Sequence, residues 1–266
     1  MNLYFYDLAY AIYGAVFLGT LVLVLRNRQN GYKVLGNIWL AGLIFQACYI
    51  VLRAAEAGRA PISNFFESIS VMVFIASLCG FVYWRKSKID LLILIVNLFN
   101  FVMLSINFSF PRQIPTLMPA LQSYWLPIHV STTLSGYAIF CVAALVGMLY
   151  FLKEKFPKLN LPDLETLEEL GFKIVIFGFP IYALGALLFG SIWAHEAWGR
   201  YWFWDPKETW ALIIFLYYAV YLHMRNRDKF THRHGALFLV GGFFFIMFSY
   251  FGVNILISGL HSYAKS

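Results

Sequence analysis

Long apolar runs separated by short polar connections recur along the whole chain. Each approaches the roughly 20 residues that a helix needs to cross a bilayer. The pattern predicts eight membrane helices, over residues 5–25, 34–52, 65–84, 89–108, 126–152, 171–192, 207–224 and 236–257. The expected fold is all-α: a polytopic integral membrane protein with a single transmembrane domain over 1–266. Two helix starts are written in the sequence. In "DPKE", Asp205 is placed to cap, Pro206 takes the first helical position and Glu208 closes a capping box. "NFFE" does the same with Asn64 and Glu67. The longest connection, "KEKFPKLNLPDLETLEELGFK", spaces Leu161, Leu164, Leu167 and Leu170 three apart. That spacing fits a short amphipathic helix on the membrane surface, acting as a connector. The first run has no lysine or arginine before it and no small-residue cleavage site after it. It is expected to remain as a helix of the protein.

Composition supports the membrane class. Hydrophobic residues are 61% of the chain and charged residues 12%, against roughly 25% charged in soluble domains. The net charge of +7 is distributed by side. Arg26, Arg28, Lys33, Arg85, Lys86, Lys88, Lys153, Lys155, Lys158, Lys173, Arg225, Arg227, Lys229 and Arg233 fall in alternate connections. Arg53, Arg59, Arg112, Arg200, Lys207 and Lys265 fall on the other side. The positive-inside rule then places both termini outside, and the basic charge requires no nucleic-acid partner. Cys48, Cys79 and Cys141 lie inside apolar runs without a paired spacing, and read as small core residues.

One stretch departs from this plan. "WGRYWFWDPKETW", residues 198–210, holds four tryptophans beside an arginine, a lysine and two acids. Trp193, Trp198, Trp202, Trp204 and Trp210 are five of the chain's eight tryptophans. An interfacial belt spreads its indoles over many helix ends. Concentration on one external connection, 193–210, suits a flat, wide, apolar ligand with an acidic edge. Aromatic faces would stack on it while Arg200 or Lys207 met its carboxylates. A porphyrin has that shape.

The histidines strengthen this reading. His129, in "YWLPIHVSTTLSGY", and His261, in "FGVNILISGLHSYA", lie at the outer ends of their runs. Two neutral imidazoles from opposite sides satisfy a haem iron. His223 follows Lys207 by sixteen residues, about 24 Å along a helix, too far to share that iron. An ionisable residue inside a span is a candidate in its own right. His195 is a secondary candidate, and His232 and His234 read as solvated in a basic connection.

Trp198, Gly199, Trp202, Trp204, Asp205, Glu208 and Trp210 match the tryptophan-rich signature of haem-handling proteins of cytochrome c maturation. "ISNFFESI", "ALQSYWLPIHVS", "SIWAHEAWG", "YLHMR" and "YFGVNILISGLHSY" resemble the CcsA (ResC) branch, the membrane component of the System II cytochrome c synthase. The resemblance runs from the third span onward. It implies that His129 and His261 are outer axial ligands of haem b, bound as substrate. Trp193, Trp198, Gly199, Arg200, Trp202, Trp204, Asp205, Lys207, Glu208 and Trp210 would form its cradle. His223 would hold haem earlier on its route. It implies a CcsB (ResB) membrane partner, an apocytochrome c with a CxxCH motif, and a bacterial cytoplasmic or plastid thylakoid membrane. The chain is expected to be the unfused form, a haem lyase subunit active with that partner. Thioethers form as substrate thiols add to haem vinyl groups, so the synthase needs no nucleophile of its own.

Two neighbouring readings remain: a haem carrier of the CcmC type without ligation activity, and a HemX-like regulator of haem biosynthesis. Eight spans and the terminal "GLHSY" favour the synthase branch over the first, and the full tryptophan motif argues against the second. A small-solute transporter would show inverted repeats or paired half-helices, which the sequence lacks. The topology has a direct test. A location reporter fused after Ser266 should signal from the outer side, and a cytoplasmic signal would overturn the outer-haem arrangement.

Overall fold

Local chemistry sets the helix starts. In a computed structural model describing residues 2–28, 30–118, 121–225, 227 and 229–257, helices α1 (Asn2–Leu25), α2 (Tyr32–Ala57), α3 (Phe65–Ser87) and α4 (Leu91–Asn107) form one compact unit over Met1–Pro115. Asn64 caps α3, its side chain accepting from Glu67 N–H at 2.8 Å. Helices α5 (Trp125–Lys155), α6 (Leu164–Tyr182), α7 (Gly190–Trp198), α8 (Pro206–Met224), α9 (His232–Met247) and α10 (Val253–Leu256) form a second unit over Thr116–Ser266. Two π-helical segments, Ala183–Phe189 and Phe248–Gly252, join α6 to α7 and α9 to α10. No strand occurs among the described residues.

Among the described residues six helices are long and apolar enough to cross a membrane: Leu3–Leu25, Tyr32–Ala57, Phe65–Ser87, Trp125–Lys155, Leu164–Trp198 and His232–Leu256. The chain is a polytopic membrane protein. Helix α4 is apolar but only 17 residues long. The 19 residues of α8 are long enough, but Lys207, Glu208 and His223 make its ends polar. These two complete the eight expected runs.

In the first unit α1 packs on α2 and α4, and α3 packs on α4 and α2. In the second, α5 is the central helix and touches α6, the first π segment, α7 and α9. Its small residues Ala138, Cys141, Ala143 and Ala144 are fully buried, as close helix contacts in lipid require. Cys48 and Cys79 are half-buried, and all three thiols are free.

The connector before α6 differs from expectation. No separate surface helix forms. Asp163 caps α6 through Thr166 N–H at 2.7 Å, and Leu167 lies fully buried inside the continuous helix. Burial of Leu167 and Glu168 against the unit outweighs a surface position. From Leu164 to Trp198 the helical path is 35 residues long. At 1.5 Å per residue that is about 52 Å, well beyond a hydrocarbon core of about 30 Å.

A buried carboxylate anchors each unit. Glu67 receives Arg53 at 3.2 Å, Arg59 at 2.8 Å, and the Ser63 N–H and hydroxyl at 3.1 Å each. Arg53 also donates to the carbonyls of Arg112 and Gln113, fixing the chain after α4. Glu168 receives Arg225 Nη2 at 2.9 Å, Arg225 Nε at 3.2 Å and the Tyr221 hydroxyl at 3.0 Å. His232 is exposed, as its place in a basic connection suggests, and its Nδ1 also sits 3.3 Å from Glu168. His234 accepts from Thr231 N–H at 3.2 Å in the capping box of α9.

The capping of α8 has the form read from "DPKE". Asp205 accepts from Lys207 N–H at 3.1 Å, while Glu208 accepts from Asp205 N–H at 3.2 Å and Phe203 N–H at 2.8 Å.

Two stability predictions follow from these contacts. Asp205→Asn should retain the cap, whereas Asp205→Ala should lose about 0.5–2 kcal/mol, read by thermal unfolding in detergent. Glu168→Leu strands Arg225 beside a lost partner and should cost about 3–5 kcal/mol. A Glu168→Leu protein as stable as wild type would show that the cluster is not an anchor.

Candidate functional site

The candidate site lies within the second unit and begins at a glycine-lined seat for His129. The chain enters α5 through Ser123, whose hydroxyl accepts from Trp125 N–H at 3.0 Å and donates to Glu196 of α7 at 2.7 Å. This ties the start of α5 to the helix that carries Trp193 and Trp198. His129 follows in the second turn of α5.

Its Nδ1 lies 2.9 Å from the Gly185 carbonyl. A carbonyl oxygen only accepts, so Nδ1 carries the proton, and the lone pair of the neutral ring is on Nε2. Gly185 belongs to the π segment, which follows Pro180 in α6. The Gly190 N–H also reaches the Gly185 carbonyl, so that oxygen serves two donors. A Cβ on Gly185 would come within 2.6 Å of the Thr133 amide nitrogen, and one on Gly190 within 3.0 Å of the His129 ring. Only glycine lets the ring and the helix come this close. Thr133 Oγ1 stands 3.4 Å from the same Nδ1.

The indoles build outward from the histidine. Trp193 is fully buried and parallel to the His129 ring, with centroids 5.7 Å apart and planes 8° apart. Trp198 meets Trp193 edge-on at 6.3 Å. Leu126 and Ala194 complete the buried part, with Trp125 and Val130 packed against it. The segment 193–210 is not one loop. Residues through Trp198 continue the helix, which ends where Gly199 turns left-handed at φ 78° and donates to the His195 carbonyl. Gly199 thus has the structural role of a C-terminal glycine.

Beyond it, Trp202 and Trp204 meet edge-on at 5.7 Å. Trp204 is 67% exposed and has φ 57°, a left-handed conformation uncommon for so bulky a residue. The indole N–H groups of Trp198 and Trp202 are buried and have no acceptor among the described residues. Arg200 lies over Phe203 at 5.5 Å, and neither it nor Lys207 forms an ion pair among the described residues. Trp210 sits in α8 and packs on Phe248 and Phe245, at 4.5 and 6.2 Å. The carboxylates of Asp205 and Glu208 are engaged with backbone N–H groups.

The structure therefore gathers His129, Trp193 and Trp198 directly, with Trp202, Trp204, Arg200 and Lys207 on the segment that follows. His195 stacks on Tyr201 at 4.2 Å. His261 lies outside the described residues. His223 is exposed in the last turn of α8, with Arg227 Nη2 3.0 Å from its Nε2. Arginine can only donate, so that nitrogen is an acceptor already in use. Sequence reasoning overlooks Gly185, Gly190 and Thr133. Their signal is the glycine pair in "GALLFG", which ordinary helix packing also explains.

Residues 62–261 match a family described as cytochrome c assembly protein. A cytochrome c biogenesis protein CcsA of Guillardia theta is 33% identical over 87% of this chain and 88% of its own length. The protein of that name from Chlamydomonas reinhardtii is 36% identical over 80% of this chain, which spans 64% of that relative. Protein NrfI of Wolinella succinogenes is 35% identical over 88% of this chain but only 27% of its own length. With the tryptophan segment inside the matched span, the chain belongs to the CcsA branch of the cytochrome c assembly proteins and serves cytochrome c biogenesis.

Proposed function

We propose that this chain receives haem b and presents it on the outer membrane face for attachment to the CxxCH motif of apocytochrome c, together with a CcsB (ResB) membrane partner. The observation that carries the reading is the His129 seat. A ligating imidazole needs its second nitrogen fixed by a hydrogen bond, which sets the tautomer and ring plane. Gly185 supplies that bond at 2.9 Å, directing the Nε2 lone pair away from the carbonyl.

The rest of the site fits a haem. The exposed Trp204 and the half-buried Trp202 give aromatic surface. Arg200 and Lys207 give positive charge for propionates. The indole N–H groups of Trp198 and Trp202 want acceptors, and a carboxylate supplies them. His261 is the second axial ligand in this reading. Asp205 and Glu208 act through shape, by fixing the start of α8. His223 would take haem at the other end of α8, after Arg227 swings off its Nε2.

The chemistry then needs position more than reactive side chains. Bis-imidazole ligation holds the ring while the substrate thiols add across its vinyl groups, each addition placing sulfur on one carbon and the proton on the other. The substrate's own histidine then replaces one of the two ligands. Lyase activity of this kind is expected from the chain with its partner.

His129→Ala and His261→Ala should each weaken or abolish haem binding and stop cytochrome c maturation. Added imidazole should restore part of the low-spin haem spectrum, because only an imidazole is missing. Lys158→Ala, exposed in the α5–α6 connection, should leave both unchanged. A His129→Ala, His261→Ala double variant with an unchanged low-spin spectrum and normal cytochrome c would falsify the assignment.

A further inference from the structure

One end of the first unit carries six cations and a single acid. Arg26, Arg28 and Lys33 come from the connection between α1 and α2, and Arg85, Lys86 and Lys88 from the connection between α3 and α4. Packing brings the two connections together. The Trp84 ring, in the last turn of α3, lies on Gly36 of α2, where a Cβ would overlap it. Trp84 Nε1 in turn donates to Asp90, the one acid, at 3.2 Å.

All six cationic side chains are exposed. None forms an ion pair among the described residues, and Arg85 lies over the Trp84 ring at 5.9 Å. The positive-inside bias gathers cations at such an end, and the negative end of the α3 dipole suits Arg85 and Lys86. Lys33 has no such reason, since it lies in the first turn of α2, the end that disfavours a cation.

Elsewhere the protein answers its cations. At the other end of the same unit Arg53 and Arg59 pair with Glu67, and Arg112 with Asp7. In the basic connections of the second unit eight cations stand among six acids. There Lys173, Arg225 and Arg233 pair with Glu169, Glu168 and Glu154.

We propose that the α1–α2 and α3–α4 connections together hold the headgroup of an anionic phospholipid. A phosphodiester supplies the negative charge that this end lacks. Apolar side chains beside the cations select a lipid over a free anion. Leu25 precedes Arg26 and is 76% exposed, and Val34 follows Lys33 and is 62% exposed. A bilayer sets acyl chains against such side chains and phosphates level with the cations. A zwitterionic headgroup brings its own ammonium, which the patch repels, so phosphatidylglycerol fits where phosphatidylcholine does not. The inference concerns the first unit alone and is independent of haem binding.

Native mass spectrometry of the full protein tests this, with phosphatidylglycerol or phosphatidylcholine titrated in detergent. Wild type should hold phosphatidylglycerol on the order of tenfold more tightly. Arg28→Gln, Lys33→Gln and Lys86→Gln together should remove most of that preference, at exposed positions with no ion pair to lose. Lys155→Gln, Lys158→Gln and Lys229→Gln together take the same charge from the second unit and should leave the preference intact. Equal loss in the two triple variants would reduce the effect to general positive charge and overturn the proposal. Equal retention of the two lipids by wild type, or displacement of phosphatidylglycerol by inorganic phosphate, would do the same. Phosphatidylglycerol with a photoreactive acyl chain locates the site without any substitution. Its label should fall on the peptides carrying Leu25 and Val34, and label confined to the second unit would overturn the assignment.

Discussion

The carbonyl of Gly185 is the contact on which the candidate site depends. In an uninterrupted α-helix that oxygen would close an ordinary i→i+4 bond. Here it lies in a π-helical turn, shared between Gly190 N–H and His129 Nδ1. The bond fixes three things together: the tautomer of the imidazole, the distance between α5 and the π segment, and the plane in which Trp193 meets the ring. Each requires the other two. A side chain at Gly185 would push on the Thr133 amide and at Gly190 on the His129 ring. The widened turn is a departure from ideal helix of a kind found often at functional sites.

A second constraint comes from the solvent. A bilayer offers no hydrogen bonds, so every buried charge must be answered within the protein. Glu67 and Glu168 show how this is done. Each is a fully or nearly fully buried carboxylate met by arginine. Each fastens neighbouring segments of its own unit, Glu67 through Arg53 and Arg59, and Glu168 through Arg225 and Tyr221. Such clusters are weak as net sources of stability and strong as specifiers of arrangement, because breaking one half leaves an ion stranded.

These constraints explain what could be read from the sequence. Apolar runs report the membrane helices because length and composition are the requirements of crossing. The caps at Asn64 and Asp205 are legible because a cap is a local contact, made within three residues. The His129 seat is not, because it joins residues 56 positions apart through a backbone oxygen. No side-chain pattern marks that oxygen. The contact of the exposed His232 with Glu168 is hidden for the same reason, since it joins residues 64 positions apart. The packing of Trp210 is hidden in the same way: it belongs to the tryptophan cluster in sequence, and α8 also brings it onto Phe245 and Phe248.

The placement of charge supports the proposed haem reading. Arginines beside the buried acids are consumed there: Arg53 and Arg59 at Glu67, Arg225 at Glu168. The tryptophan segment is arranged differently. It has two acids of its own, Asp205 and Glu208, but both are turned onto backbone N–H groups at the start of α8. They do not pair with Arg200, and Lys207 contributes its backbone rather than its ammonium to the Asp205 hydrogen bond. Capping therefore does more than start a helix: it turns the carboxylates of Asp205 and Glu208 onto backbone N–H groups and leaves Arg200 outside those hydrogen bonds. Beside indole N–H groups of Trp198 and Trp202 that lack acceptors among the described residues, the Arg200 guanidinium suits a ligand bringing its own carboxylates. A haem with two propionates is such a ligand, and a purely apolar lipid contact is not.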